Sequence, residues 1–398
     1  IKKNFGFGCM RFPMKGEEVD IEELSKMVDC FIENGFNYFD TAKPYIGGRS
    51  EPALKAALVD RYPREAFVLA NKLSGGFETE EDIRPLIDLL LEKCGVEYFD
   101  FFLMHAMSAG RHESYQQLHA YDIAQEYKAA GKLRHVGMSF HDTAEVLDRI
   151  LTAWPEIEFV QLQFNYLDYE DESVQGRLCY EVCRKHGKPV MVMEPVKGGT
   201  LVNLPQAALD LLPGGSPASY AIRFAASQEG IMMVLSGMGS MAMMEDNLSF
   251  MKDFQPLSEK ELATLDRVCE VFRGLGAIPC TACNYCAPNC PKKIAIPQYF
   301  ALYNDYTRKP AEGWKMGHAY KGLQPAFGKA SDCIACGQCE QHCPQKIAIR
   351  QELKGVQKFV KVILPAASPS ILAGFVNSLR NTFIMLVYAE MYGAKYGM

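Results

Sequence analysis

Eight cysteines of this chain are spaced for cluster chemistry. Cys280, Cys283, Cys286 and Cys290 precede Pro291, and Cys333, Cys336, Cys339 and Cys343 precede Pro344. Both runs read C-x2-C-x2-C-x3-C-P, a spacing at which thiolates hold cuboidal [4Fe–4S] clusters. Three thiolates of a run fold around one face of a cluster, while the fourth points away and normally ligates the other cluster. That assigns Cys280, Cys283, Cys286 and Cys343 to one cluster and Cys333, Cys336, Cys339 and Cys290 to the second. A disulfide framework has no reason to repeat one spacing and place a proline after each fourth cysteine. Structural zinc suits paired CxxC units, yet takes four ligands at a site rather than two interlocked sets. Cys9, Cys30, Cys94, Cys179, Cys183 and Cys269 sit in apolar contexts and read as small buried hydrophobes.

A second set of reactive side chains is spread over the first 273 residues. Asp40, Lys72, His105, Ser139, Glu194 and Ser236 each close a short apolar run, and Gln161 and Gln163 lie late in another. The eight runs cover residues 5–10, 36–40, 67–72, 99–105, 133–139, 157–163, 189–194 and 231–236, and longer amphipathic stretches separate them. Such alternation is expected of repeated βα units around a parallel sheet. In a (β/α)8 barrel the carboxyl ends of all strands converge on one rim, so residues far apart in sequence become neighbours. Residues 21–35 show helical periodicity with a glycine stop, and Gly131 and Gly187 end similar stretches. The expected fold is α/β: a (β/α)8 TIM barrel over 1–273, a smaller, mainly helical, ferredoxin-like dicluster domain over 274–350, and a C-terminal helical extension over 351–398. A helix over 257–272, capped by Ser258, marks the barrel's end. The methionines of 232–244 read as core.

The segment Gly35-Phe-Asn-Tyr-Phe-Asp40-Thr-Ala-Lys-Pro-Tyr45, followed after Ile46 by Gly-Gly-Arg-Ser-Glu51, resembles the signature of the aldo–keto reductases. Lys72 and His105 fall where that family keeps its lysine and histidine, and the resemblance covers most of 5–251. It implies a catalytic tetrad of Asp40, Tyr45, Lys72 and His105, in which Tyr45 donates a proton to a carbonyl while NAD(P)(H) delivers hydride. A phenol titrates at about pH 10 in water, so Lys72 is expected to tune it. Asp40 would hold the ammonium, and His105 would orient the substrate oxygen.

By the same resemblance, Ser139, Gln161, Ser236, Gly237 and Asn247 match positions that touch the nicotinamide amide, the phosphates or the adenine side. Met193 takes the usual place of an aromatic that stacks on the nicotinamide. Lys197, Gly198 and Gly199, like residues 236–240, follow strands seven and eight, where barrel phosphate sites form. Glycines there let backbone amides approach an anion. Phe140 replaces an asparagine common in relatives. Residues 238–246 contain no Lys or Arg, the types with which NADPH-selective relatives grip the extra phosphate. NAD versus NADP is therefore left open.

Bulk properties narrow the function classes. The chain has 398 residues, 48% hydrophobic and 23% charged, ordinary for a protein with a substantial core. A formal charge of −6 implies no basic surface for nucleic acid. No early apolar run suggests secretion, and thiolate clusters favour a reducing compartment, so a cytoplasmic location is expected. Residues 371–388 are apolar but carry Asn377, Arg380 and Asn381, which suits a packed helix rather than a membrane span.

The leading expectation is an iron–sulfur oxidoreductase that reduces a small carbonyl or oxidises an alcohol with NAD(P)(H). Because [4Fe–4S] centres pass single electrons and a nicotinamide passes hydride, one alternative is a flavin-containing barrel linked to an external electron carrier such as ferredoxin. Another is a barrel without catalysis that serves as a scaffold for a redox partner.

Overall fold

The computed structural model describes residues 4–308 and 313–360 and divides into two compact units, the first ending at Val271 and the second beginning at Phe272. In the first, eight strands close into a barrel. They are β1 (Phe5–Gly8), β2 (Tyr38–Asp40), β3 (Val68–Leu73), β4 (Phe99–Met107), β5 (Leu133–Phe140), β6 (Val160–Gln163), β7 (Val190–Met193) and β8 (Ile231–Ser236). Each pairs in parallel with its neighbours in chain order, and β8 pairs with β1. Several strands are shorter than the apolar runs, because flanking residues pack instead of pairing. Phe36, for example, stacks on Phe31 and meets Phe5 edge-on.

Strand alternation explains the polar rim. Side chains two residues apart share a side of a strand. Tyr38, Ala70, Leu103, Phe159, Met191 and Leu235 form one buried cluster, and the Tyr38 hydroxyl reaches across to Met191 Sδ at 3.3 Å. Two residues further along the same strands stand Asp40, Lys72, His105, Gln161 and Met193. Parity thus stacks a largely polar layer directly on an apolar one. The apolar layer is tight: a Cβ on Gly137 would lie 2.6 Å from the Phe159 ring.

The helix Ile21–Glu33 begins at Asp20, whose carboxylate accepts from Glu23 N at 3.1 Å, and buries Leu24, Met27, Val28 and Phe31. Phe31 meets the rings of Phe5, Phe7 and Phe39 on the barrel's outer face. The helix Glu259–Gly274 carries the expected Ser258 cap, with Ser258 and Glu261 bonded reciprocally. Met233, Met238 and Met244 are core as expected, but Met243 is 54% exposed, because it faces outward from the helix Met241–Met251. Of the six remaining cysteines, five are buried and Cys30 is half-buried.

The second unit is an internal duplication. Each cysteine run leads through a left-handed Lys, Lys293 or Lys346, into a helix, Ile296–Arg308 or Ile349–Lys358. Positive φ recurs at equivalent places inside the runs, at Ala282 and Asn284 in the first and at Ala335 and Gly337 in the second. One buried core joins the halves, drawing Ile294, Ile296, Tyr299 and Phe300 from one and Ile347, Ile349, Leu353 and Val356 from the other. Leu353 and Val356, placed by sequence in the extension over 351–398, therefore belong to this core. Residues 361–398 of that extension, including 371–388, lie outside the described residues. No helix among the described residues is long and apolar enough to cross a membrane.

Candidate functional site

At the barrel rim, register sets Asp40 opposite Ala70 and Lys72 opposite Leu103. The Lys72 ammonium donates to the Asp40 carboxylate and, at 2.9 Å, to the Thr41 carbonyl. Both side chains are almost fully buried. Gln161 Nε2 donates to the second Asp40 oxygen at 3.3 Å. Tyr45 opens a tight turn, Tyr45–Gly48, in which Ile46, Gly47 and Gly48 all take positive φ. The two glycines supply the left-handed backbone that turns the phenol inward. The Lys72 ammonium lies 4.8 Å from the Tyr45 ring centroid, and the His105 ring stands 6.2 Å from it, nearly perpendicular. The structure thus brings Asp40, Tyr45, Lys72 and His105 together.

Burial governs the protonation of the two ring groups. It pushes the Tyr45 phenol well above its ordinary value, with the Asp40 carboxylate adding to the rise and Arg11 opposing it. The Lys72 ammonium, expected to tune the phenol, stands beside the Tyr45 ring while bonded to Asp40. Burial, reinforced by the positive charges of Lys72 and Arg111, holds His105 well below its ordinary value. His105 Nδ1 bonds Ser74 Oγ at 2.7 Å, which fixes the ring.

The expected cofactor contacts divide into two groups. Ser139 accepts from Ala106 N at 2.7 Å, where a bulge gives Ala106 a positive φ, and a hydroxyl that accepts still has its own proton to donate. Gln161 lies beside Asp40, and Met193 shares their layer. Gly237 stands open beside Arg11, whose guanidinium would be 3.7 Å from an added Cβ. The Lys197–Gly199 turn differs from expectation. Lys197 is buried and ion-paired with Asp168, which also accepts from Gln163 and Asn165 at 2.7 Å each. The Gly198 amide bonds the Glu194 carboxyl, and the Gly199 amide donates to Val196 O at 3.0 Å. These groups have internal partners, so the turn is not an anion cradle. Asn247 likewise donates to Ser236 Oγ at 2.7 Å, tying the helix Met241–Met251 to β8. Arg11 and Ser74 escaped sequence reasoning; only their position in loops just beyond strand ends could have flagged them.

In the second unit, Cys280, Cys283, Cys286 and Cys343 line one pocket, and Cys290, Cys333, Cys336 and Cys339 line another. All the cysteines are free thiols. Among the described residues no three His, Cys, Asp or Glu side chains close around a point where one metal ion could sit. Four thiols at each pocket, three from one run and the fourth from the other, form the donor set that a [4Fe–4S] cluster takes.

A closed parallel barrel with a buried Asp, Lys and His at its strand ends and a Tyr from the loop after the second strand, joined to a unit with two four-thiol pockets, defines a class: a (β/α)8 barrel protein carrying an iron–sulfur module. Residues 4–270 match the model of the aldo/keto reductase family, and residues 279–348 match that of the 4Fe-4S dicluster domain. The chain belongs to the aldo/keto reductase family.

Among curated proteins it is similar to the NADH-specific methylglyoxal reductase of Escherichia coli (strain K12), 25% identical over 213 residues, covering 48% of this chain and 62% of that protein. It is also similar to the L-galactose dehydrogenase of Arabidopsis thaliana, 26% identical over 270 residues, covering 61% of this chain and 82% of that one. The match thus spans less than two thirds of the E. coli protein. Among solved structures, aldo-keto reductase AKR11C1 from Bacillus halodurans superposes with a TM-score of 0.53 at 21% identity, covering 67% of this chain and 91% of that chain. An aldo-keto reductase from Klebsiella pneumoniae in complex with NADPH gives 0.53 at 20%, covering 67% and 90%. At such identities the likeness speaks for the fold alone.

Proposed function

We propose that the barrel is a nicotinamide-dependent oxidoreductase that reduces a small carbonyl compound, with Tyr45 as proton donor. The observation that carries this reading is the buried Asp40–Lys72 pair beneath the Tyr45 ring. Ser139, Gln161 and Met193 would hold the nicotinamide end, and the segment 236–240 with the amino end of the helix Met241–Met251 would take the phosphates. The dipole of that helix favours an anion there. A bound reduced nicotinamide supplies hydride to the carbonyl carbon.

Tyr45, kept protonated by burial, gives its proton to the carbonyl oxygen. The neutral His105 ring orients that oxygen, and Lys72 offsets the negative charge that proton loss leaves on the phenolate. The E. coli relative's NADH specificity and the absence of Lys or Arg from 238–246 favour NADH over NADPH. Nothing among the described residues favours a flavin. The intact rim group speaks against a scaffold without catalysis.

The two four-thiol pockets would each hold a [4Fe–4S] cluster, about eight irons per chain, supplying one-electron chemistry. The test is turnover of a reactive dicarbonyl such as methylglyoxal, with NADH and with NADPH, by protein purified without air. Tyr45→Phe should lower the rate about 100-fold or more while nicotinamide binding persists. Unchanged turnover in that variant would remove Tyr45 from the mechanism.

A further inference from the structure

The internal duplication makes the two cluster pockets near-equivalents, so their differences are informative. Cys280, Cys283 and Cys286 answer to Cys333, Cys336 and Cys339, and Cys343 answers to Cys290. The other lining residues occupy equivalent positions for the most part, and two of the differences between them change charge. Gln345 lines the first pocket where its counterpart Lys292 lines the second, and Pro297 lines the first where Arg350 lines the second. Among the described residues no Asp, Glu, Lys or Arg lines the first pocket.

The charge at the second pocket is partly compensated. Arg350 donates to Glu340 at 2.8 Å and reaches the Ala335 carbonyl, inside the second run, at 3.4 Å. Glu340, next to Cys339, cancels one of the two cations, and its carboxylate acts on Cys339 of the second pocket as well as on Cys343 of the first. The balance leaves the second pocket more positive. Exposure acts in the same direction, since Cys336 is exposed and Ile334 is 58% exposed. Thr281 and Asn284 give the first pocket neutral dipoles where the second has Ile334 and Gly337. A full charge outweighs such dipoles at similar distance.

A [4Fe–4S] cluster bound by four thiolates is already an anion, and reduction adds one electron with no bond made or broken. Nearby cations and solvent stabilise the more negative state, and both raise the potential. We infer that the cluster held by Cys290, Cys333, Cys336 and Cys339 is the more readily reduced of the two and takes the first electron from a one-electron donor. This rests on the reading that each pocket holds a [4Fe–4S] cluster.

The test is a potentiometric titration of the full chain, purified without air and assayed for iron. Dithionite is the reductant, viologens are the mediators, and electron paramagnetic resonance is the readout at low ionic strength. The first signal to appear should be the one altered by Cys336→Ser. Lys292→Gln, which copies the other pocket at an exposed position, should lower the midpoint of that signal. Gln345→Lys should raise the midpoint of the later one, and Arg350→Lys should leave the order intact. The inference falls if Cys336→Ser alters the later signal, or if Lys292→Gln moves neither midpoint. Iron far below about eight per chain would remove the cluster reading itself, whereas full iron with reversed order would remove only the inference.

Discussion

Tyr45 and His105 are held in their neutral forms by one cause, since burial raises the phenol and lowers the imidazole. A phenol whose value is raised stays protonated below that raised value, and an imidazole whose value is depressed stays neutral above its own. Neither group then titrates across the physiological range. Single-turnover reduction of a carbonyl should therefore be flat between about pH 6 and 9, with no inflection at an ordinary histidine value. An inflection at about pH 6.5 would show that His105 titrates as though exposed. The pair beneath them makes a separate prediction. Lys72→Met leaves the Asp40 carboxylate buried without its ammonium, which should cost about 3–5 kcal/mol in urea unfolding. Adding Asp40→Leu to Lys72→Met should recover part of that loss, because no buried charge then remains. A single-variant cost below about 1 kcal/mol would mean that the pair is solvated, as surface pairs are.

The strands determine which residues meet. β1 to β8 were legible because their apolar runs and polar ends follow barrel parity, and Asp40, Lys72 and His105 follow from it as neighbours. Tyr45 lies off the strands and was legible only through its spacing from Asp40. The Lys197–Gly199 turn was misread because its decisive partner, Asp168, sits in another loop and leaves no local pattern. The bulge at Ala106, which aims an amide at Ser139, was hidden for the same reason. Packing between strands can be tested directly. Gly137→Ala puts a methyl 2.6 Å from the Phe159 ring and carbonyl, so overpacking should cost about 1–3 kcal/mol in urea unfolding. Gly110, in the helix Ala109–Gln117, has nothing within 4 Å of an added Cβ. Gly110→Ala should be neutral or stabilising by about 0.5–1 kcal/mol. Equal losses in the two variants would mean that the interior at Gly137 is loosely packed.

Across the whole molecule the two units rest on different kinds of cohesion. The barrel closes around an apolar interior without help from any cysteine of the runs. In the second unit most of the run cysteines pack into or against the shared core, so that core is built partly of the groups that would bind the clusters. The crosswise arrangement follows from the duplication: the fourth cysteine of each run lines the other run's pocket, while the helix that follows it returns to line the pocket of its own run's first three cysteines. Double substitutions separate this from pairing within a run. Cys290→Ser with Cys339→Ser strikes one pocket twice, so about half the iron should remain and one paramagnetic signal should survive. Cys339→Ser with Cys343→Ser strikes both pockets, so nearly all the iron should go. Pairing within a run predicts the reverse, because Cys339 and Cys343 would then share one cluster while Cys290 belonged to the other. Iron and sulfide assays on the two double variants, purified in parallel without air, decide between the arrangements even if each variant's barrel keeps its full nicotinamide-dependent activity.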